Sequence, residues 1–313
     1  MIVLPGPKAE IAHLAFSPDA RLLAVSGGSR PFEMWDVTTA NQWGRHKGVV
    51  FVPGPAGFHP TKPVCTVPVH LGVCVIETDT KKADVIWNSD KGHEYVINPT
   101  FAPDGETFVS NRGNAFRCLR RRTKGLHKFQ WTSASPALKF PRERSGYAQL
   151  GAAVGFAPTG KALVVLDGYR LFAEPEPRLI RARAISAKDG KPLAEVEVPR
   201  NTRPALAFAP DGKHFVTFEP TKLVLRDLKA LEPVAEVKCG RNKPVAAAFH
   251  PGGKWLAVAV GTAVKVFDCA TWKEVRQLDW KIGKVKCLAF SSDGALAAAA
   301  GDSGKIVVWD ADA

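Results

Sequence analysis

Apolar residues in this chain come in short alternating runs that stop at Pro, Gly or Asp, a rhythm that predicts strands joined by tight turns. Val245-Ala246-Ala247-Ala248-Phe249 is one such run, and Pro251-Gly252-Gly253 then turns the chain. A second strand is predicted at Trp255-Leu256-Ala257-Val258-Ala259-Val260, then a tight turn at Gly261-Thr262 and a third strand at Ala263-Val264-Lys265-Val266-Phe267-Asp268. The more polar Trp272-Lys273-Glu274-Val275-Arg276-Gln277-Leu278 reads as a fourth strand at an outer edge, while the small-residue inner strands read as buried on both faces.

The corner of this unit recurs. Phe, any residue, usually Pro, then Asp, Thr or Gly appears at Phe16-Ser17-Pro18-Asp19, Phe58-His59-Pro60-Thr61 and Phe101-Ala102-Pro103-Asp104. It returns at Phe156-Ala157-Pro158-Thr159, Phe208-Ala209-Pro210-Asp211, Phe249-His250-Pro251-Gly252 and, with Ser for Pro, Phe290-Ser291-Ser292-Asp293. The phenylalanines of these seven copies are 42, 43, 55, 52, 41 and 41 residues apart. Pro fixes φ near −65° at the corner and Asp-Gly or Thr-Gly turns the chain. A four-stranded antiparallel unit of about forty residues, repeated, predicts the blades of a β-propeller.

On these residues the chain resembles the WD-repeat (WD40) family. The third strands of repeats one and seven end in the family dipeptide, at Trp35-Asp36 and Trp309-Asp310. Degenerate forms are Ile76-Glu77, Arg226-Asp227 and Phe267-Asp268, and repeats three and four depart further with Leu119-Arg120 and Ile185-Ser186. The family's Gly-His dipeptide occurs once, at Gly92-His93. The resemblance implies a His–Asp–Ser/Thr–Trp hydrogen-bonded tetrad per blade; here most blades lack members, so apolar packing is expected to dominate stability. The fold expected is all-β, one domain over residues 1–313: a seven-bladed β-propeller of four-stranded antiparallel blades, with insertions near 132–147 and 168–178. Ile2-Val3-Leu4 is surplus to repeat one and repeat seven is short of a fourth strand, so the N-terminal strand is expected to close the last blade.

Composition narrows the class. Apolar residues make up 45% and charged residues 23% of 313, enough for a core and against a disordered chain. The 27 Gly and 24 Pro leave little room for long helices. No run approaches a membrane span, and the start Met1-Ile2-Val3-Leu4-Pro5-Gly6-Pro7 lacks the pattern of a signal peptide. The six cysteines form no CxxC or zinc spacing; they read as free, mostly buried thiols in a reducing, cytoplasmic setting, with Cys65 and Cys74 the one pair that could face each other across a hairpin.

Two departures from the repeat suggest a site. The insertions lie between strands four and one (132–147) and between strands two and three (168–178), connections that emerge at one end of alternating strands. The net charge is +13, of which residues 101–207 carry +10. Arg112, Arg142, Arg144, Arg170 and Arg178, with Tyr147, Tyr169 and Phe172 as aromatic anchors, form the candidate binding set. Arg120-Arg121-Arg122 and Lys124 are expected at the opposite end.

Catalytic signatures are absent. Gly301-Asp302-Ser303-Gly304-Lys305 lacks phosphate-loop spacing and reads as a turn, and His59 and His250 share one slot after the repeat Phe without forming a metal pair. There is no GxSxG elbow, HExxH or calcium loop. The reading is a non-catalytic interaction platform with no cofactor and no metal, binding a protein or acidic peptide, alone as a monomer or within a hetero-complex, and not a membrane. Nucleic-acid or ribonucleoprotein binding through the same basic sector is the alternative, and a propeller hydrolase or lactonase the third.

Overall fold

A computed structural model describes residues 1–7, 9–27, 32–44, 54–69, 72–87, 96–112, 115–121, 131–133, 138–139, 147–171 and 179–312. Strand β1 is Ile2–Leu4. Repeat one supplies β2 (His13–Phe16), β3 (Leu22–Ser26), β4 (Glu33–Asp36) and β5 (Asn41–Gly44); repeat two β6 (Gly57–Phe58), β7 (Val64–Val69), β8 (Gly72–Glu77) and β9 (Ala83–Trp87). Repeat three supplies β10 (Val96–Phe101), β11 (Thr107–Arg112), β12 (Ala115–Arg121), β13 (Trp131–Ser133) and β14 (Leu138–Lys139). Repeat four has β15 (Tyr147–Phe156), β16 (Ala162–Leu171), β17 (Leu179–Ser186) and β18 (Pro192–Val198); repeat five β19 (Arg203–Phe208), β20 (His214–Phe218), β21 (Lys222–Asp227) and β22 (Pro233–Lys238). Repeat six has β23 (Pro244–Phe249), β24 (Trp255–Val260), β25 (Ala263–Asp268) and β26 (Glu274–Leu278); repeat seven β27 (Val285–Phe290), β28 (Leu296–Gly301) and β29 (Ile306–Asp310).

The chain is an all-β propeller of four-stranded antiparallel blades. Each repeat makes one sheet with its strands in chain order, except that β1 takes the fourth place of the repeat-seven sheet, in the order β1-β29-β28-β27. The expected N-terminal closure of that sheet is present: Ile2 pairs with Val308, Val3 with Val307 and Leu4 with Ile306. Where seven four-stranded blades were expected, six are found among the described residues. In repeat three the outer edge of the seven-residue β12 is shared by two short strands, β13 against Leu119–Arg121 and β14 against Ala115–Phe116, giving five strands. Part of the 132–147 insertion is therefore sheet.

The corners explain why the pattern folds this way. In five repeats the φ of Gly105, Gly160, Gly212, Gly253 or Gly294 is positive, between 67° and 78°, and Ala20 fills the same slot in repeat one at 58°. Its N–H donates to the carbonyl three residues back, as from Gly212 to Ala209 at 3.1 Å. The preceding Asp holds the turn: Asp211 Oδ1 accepts from the backbone N–H of Lys213 and His214, and Asp104 from Glu106 and Thr107. His59 does the same work in repeat two, its Nδ1 accepting from the N–H of Thr61 and Lys62, and His250 accepts from Gly252. Both are turn residues. The acid that ends strand three caps the next turn likewise: Asp36, Asp227 and Asp268 each accept two backbone N–H groups.

Two compact units can be distinguished, residues 1–139 with 280–313, and residues 140–279. In the first, the repeat-one sheet packs on the repeat-seven sheet through Leu4, Leu23, Trp35, Ala298, Ile306 and Val308. In the second, Val216, Phe218, Leu256, Val258 and Phe267 join the repeat-five and repeat-six sheets. The alanines of β28, Ala297 to Ala300, are at most 1% exposed; small side chains there let neighbouring sheets approach.

Candidate functional site

The repeat-four sheet is built longer than its neighbours. Strands β15 and β16 have ten residues each and β17 eight, whereas β19, β20 and β21 have six, five and six. The additional pairs are Tyr147 with Leu171, Ala148 with Arg170 and Gln149 with Tyr169, and Tyr169 also pairs with Leu179 of β17. Over Gly168–Leu171 this corrects the reading of Gly168–Arg178 as a loop insertion; residues 172–178 lie outside the described residues. Gly168–Leu171 continues β16: Gly168 and Tyr169 pair with both β15 and β17, and Arg170 and Leu171 with β15, which gives their backbone groups partners that a loop would have to find in water. A register shift between Gln149 and Gly151 sets the extension off from the rest of β15.

Charged side chains are buried where the extension begins. Asp167 is fully buried in β16 and Arg183 nearly so in β17, with Nη2 of Arg183 3.4 Å from Oδ2 of Asp167 and its Nε 3.0 Å from Oε2 of Glu195 in β18. Nε of Arg181 lies 3.5 Å from the other Glu195 oxygen. The ion pairs cross three strands and hold their register at the base of the extended end. Sequence reasoning missed Asp167 and Arg183. Their signal was the alternation Arg181-Ala182-Arg183 in one strand facing Glu195-Val196-Glu197 in the next.

The candidate binding residues divide accordingly. Tyr147, Tyr169 and Arg170 all lie in the extended end of β15 and β16. Arg112 ends β11 of the first unit, paired with Val96 and Ala115. Arg142, Arg144, Phe172 and Arg178 lie outside the described residues, as does Arg122 with Lys124. Arg120 and Arg121 are at the last two positions of β12 and pair with Thr132 and Trp131.

A cleft of about 380 Å³ opens at the other end of the second unit, where β22 meets the turn between β25 and β26. Pro210, Val234, Phe249, Cys269 and Trp272 line it, with Asp211 and His214 among them. Nδ1 of His214 is 2.6 Å from Oδ2 of Asp211. Burial raises the Asp211 pKa, but the His214 ring and the backbone N–H of Lys213 and His214 outweigh it and bring the carboxyl below its ordinary value. Burial, with Asp268 and Asp211 nearby, pushes the Cys269 thiol up to about 11, so it is protonated at neutral pH and a poor nucleophile. Among the described residues no group of three or more His, Cys, Asp or Glu could hold a metal ion.

The family model for the WD domain, G-beta repeat, matches residues 272–310. That stretch runs from Trp272 through β26 and then β27 to β29, the fourth strand of one sheet followed by the first three of the next. No curated protein matches the chain. The matched repeat, the Trp-Asp ends of β4 and β29 and the succession of four-stranded antiparallel blades support a WD40-repeat β-propeller family.

Proposed function

We propose that this chain is a non-catalytic protein-interaction scaffold, a single seven-bladed domain counting the five-stranded sheet of repeat three, whose partner presents an acidic segment to the basic sector of repeats three and four. The observation that carries the reading is the extended end of β15 and β16, which holds Tyr147, Tyr169 and Arg170 in paired strand within a stretch of net charge +10 over residues 101–207. WD40 propellers suggest protein-interaction scaffolds and are typically non-catalytic, which supports the first half of the proposal.

The physical logic is rigid display. Paired strands carry the anchors, so little conformational entropy is lost on binding, and Arg and Tyr provide the charged and aromatic contacts that dominate interface energetics. A positive sector steers an acidic partner and raises its association rate. Arg112, Arg142, Arg144, Phe172 and Arg178 complete the proposed surface, and free thiols are consistent with a cytoplasmic protein.

Affinity capture with the wild-type chain and with Arg142→Glu plus Arg144→Glu tests this. The charge-reversed chain is expected to lose the acidic partner; equal recovery of every partner by both would reject the surface. The +10 charge also favours a second reading, nucleic-acid binding, which predicts affinity falling steeply with salt as counterions are released. Absence of RNA and DNA binding at low ionic strength removes it.

A further inference from the structure

Two junctions in the second unit share a motif that neither the fold nor the surface above accounts for. The chain between β18 and β19 reads Arg200-Asn201-Thr202 and enters β19 as Arg203-Pro204; between β22 and β23 it reads Arg241-Asn242-Lys243 and enters β23 at Pro244. Part of this is architectural. Asn suits a tight turn, and Pro starts a strand whose pairing shifts register in both cases, after Arg203 and after Pro244.

The cations have no such task. Arg200, Arg203, Arg241 and Lys243 are all exposed, and none has an ion-pair, hydrogen-bond or ring partner for its side chain among the described residues. Among the unit's other cations, Lys222 is engaged with Glu219 and Glu236, Lys265 with Glu274, and Arg181 and Arg183 with Glu195, while Lys188, Lys213, Lys229 and Lys273 are exposed at the opposite end. Of the anions nearby, Glu219 is committed to Lys222 and Asp279 accepts from Thr262, while Glu197 is exposed near the end of β18. Strand β15 contacts β19, and β19 contacts β23, so both junctions lie at the end of the unit where Tyr147 begins β15.

We propose that these junctions form a cationic strip that takes an extended, carboxylate-rich segment of a partner protein, laid across the starts of β19 and β23. This rests on the scaffold reading and names a second part of its surface. Arginine forks match carboxylates in pairs. Single-stranded nucleic acid would want aromatic faces for its bases. Neither junction, 199–204 nor 239–244, contains an aromatic residue.

Fluorescence anisotropy of the full chain with labelled poly-glutamate, and with a single-stranded RNA of equal charge, tests the strip. Replacing Arg200, Arg203, Arg241 and Lys243 together by Gln is expected to weaken poly-glutamate binding about tenfold at low salt, since exposed pairs contribute little each. The same charge change at the opposite end, Lys188→Gln, Lys213→Gln, Lys229→Gln and Lys273→Gln, is expected to leave affinity unchanged. Equal loss in both variants, no poly-glutamate binding, or RNA bound more tightly than poly-glutamate would overturn the proposal. Urea midpoints matching wild type show that the variants fold. If Arg142→Glu plus Arg144→Glu loses its partner while the junction variant keeps both partner and poly-glutamate, the scaffold surface stands and the strip falls.

Discussion

Leu4 is the residue by which the N-terminus is fastened, and replacing it measures that attachment. It sits in β1 opposite Ile306, fully buried, in one cluster with Leu23, Val25, Trp35, Ile306 and Val308. Its neighbour Val3 pairs with Val307 but is 52% exposed. Leu4→Ala removes three buried carbons and leaves a cavity between two sheets, a change that costs about 3 kcal/mol. Val3→Ala deletes atoms already half in water and is expected to cost under about 0.5 kcal/mol. The connection after β1 constrains the chain as well: Gly6 has φ +52°, and a Cβ there would meet the carbonyl oxygen of Gly304. Gly6→Ala should therefore destabilise although it adds only a methyl group. The assay is urea unfolding followed by tryptophan fluorescence, since Trp35 belongs to the cluster and Trp309 stacks on Trp280 at 4.5 Å. Hydrogen exchange of β29 gives a local readout: its amides should exchange faster in Leu4→Ala and in a chain lacking residues 1–6. A Leu4→Ala midpoint equal to wild type, or equal losses for Leu4→Ala and Val3→Ala, would refute the argument.

The buried pair in repeat four makes a second stability prediction. Asp167→Ala leaves Arg183 buried without that counter-charge and should cost roughly 3–5 kcal/mol, whereas Asp167→Leu with Arg183→Met should recover most of it; urea titration of the three chains checks both. At the corners, Ala20 occupies the left-handed slot that Gly fills in five other repeats, so Ala20→Gly should cost nothing and stabilise by up to about 1 kcal/mol, while Gly212→Ala should destabilise by at least about 1 kcal/mol; thermal midpoints decide the sign. Asp36 is buried, which raises its pKa, but the hydrogen bonds from Thr39 and Arg21 prevail and lower it. A depressed carboxyl contributes stability that is present above its unfolded pKa near 4 and is lost as pH falls through the folded value, so Asp36→Asn should flatten the decline in stability below about pH 4. Burial pushes the Cys74 thiol up to about 12 and Cys239 up to about 11, so both should resist a thiol reagent at pH 8 until the chain is unfolded.

Much of the fold was legible because each repeat states its own geometry. The strands read at 255–260 and 263–268 are β24 and β25, and the outer strand read from Trp272 begins two residues later because Trp272 itself has φ +55°. The shared slot of His59 and His250 was legible as an echo of the repeat, but their role was not: their rings accept the backbone N–H groups that Asp accepts elsewhere. The repeat-three sheet was not legible, because a fifth strand of two residues has no hydrophobic pattern of its own. Nor was the extended end of repeat four: Gly168 and the proline-rich stretch after it resemble a loop, and only pairing with Tyr147–Gln149 turns Tyr169–Leu171 into strand.

The sequence by itself determined the repeat, its corners, its strand order and the surplus strand at the N-terminus, because turn chemistry and apolar alternation act within a few residues. Tertiary structure alone decided that Asp167 and Arg183 meet in the interior, that β12 has two outer partners, and that Arg200 and Arg241 reach one end with no ion-pair partner among the described residues. Those outcomes depend on which strands stand side by side and on what each side chain then meets, and distance along the chain carries no record of either.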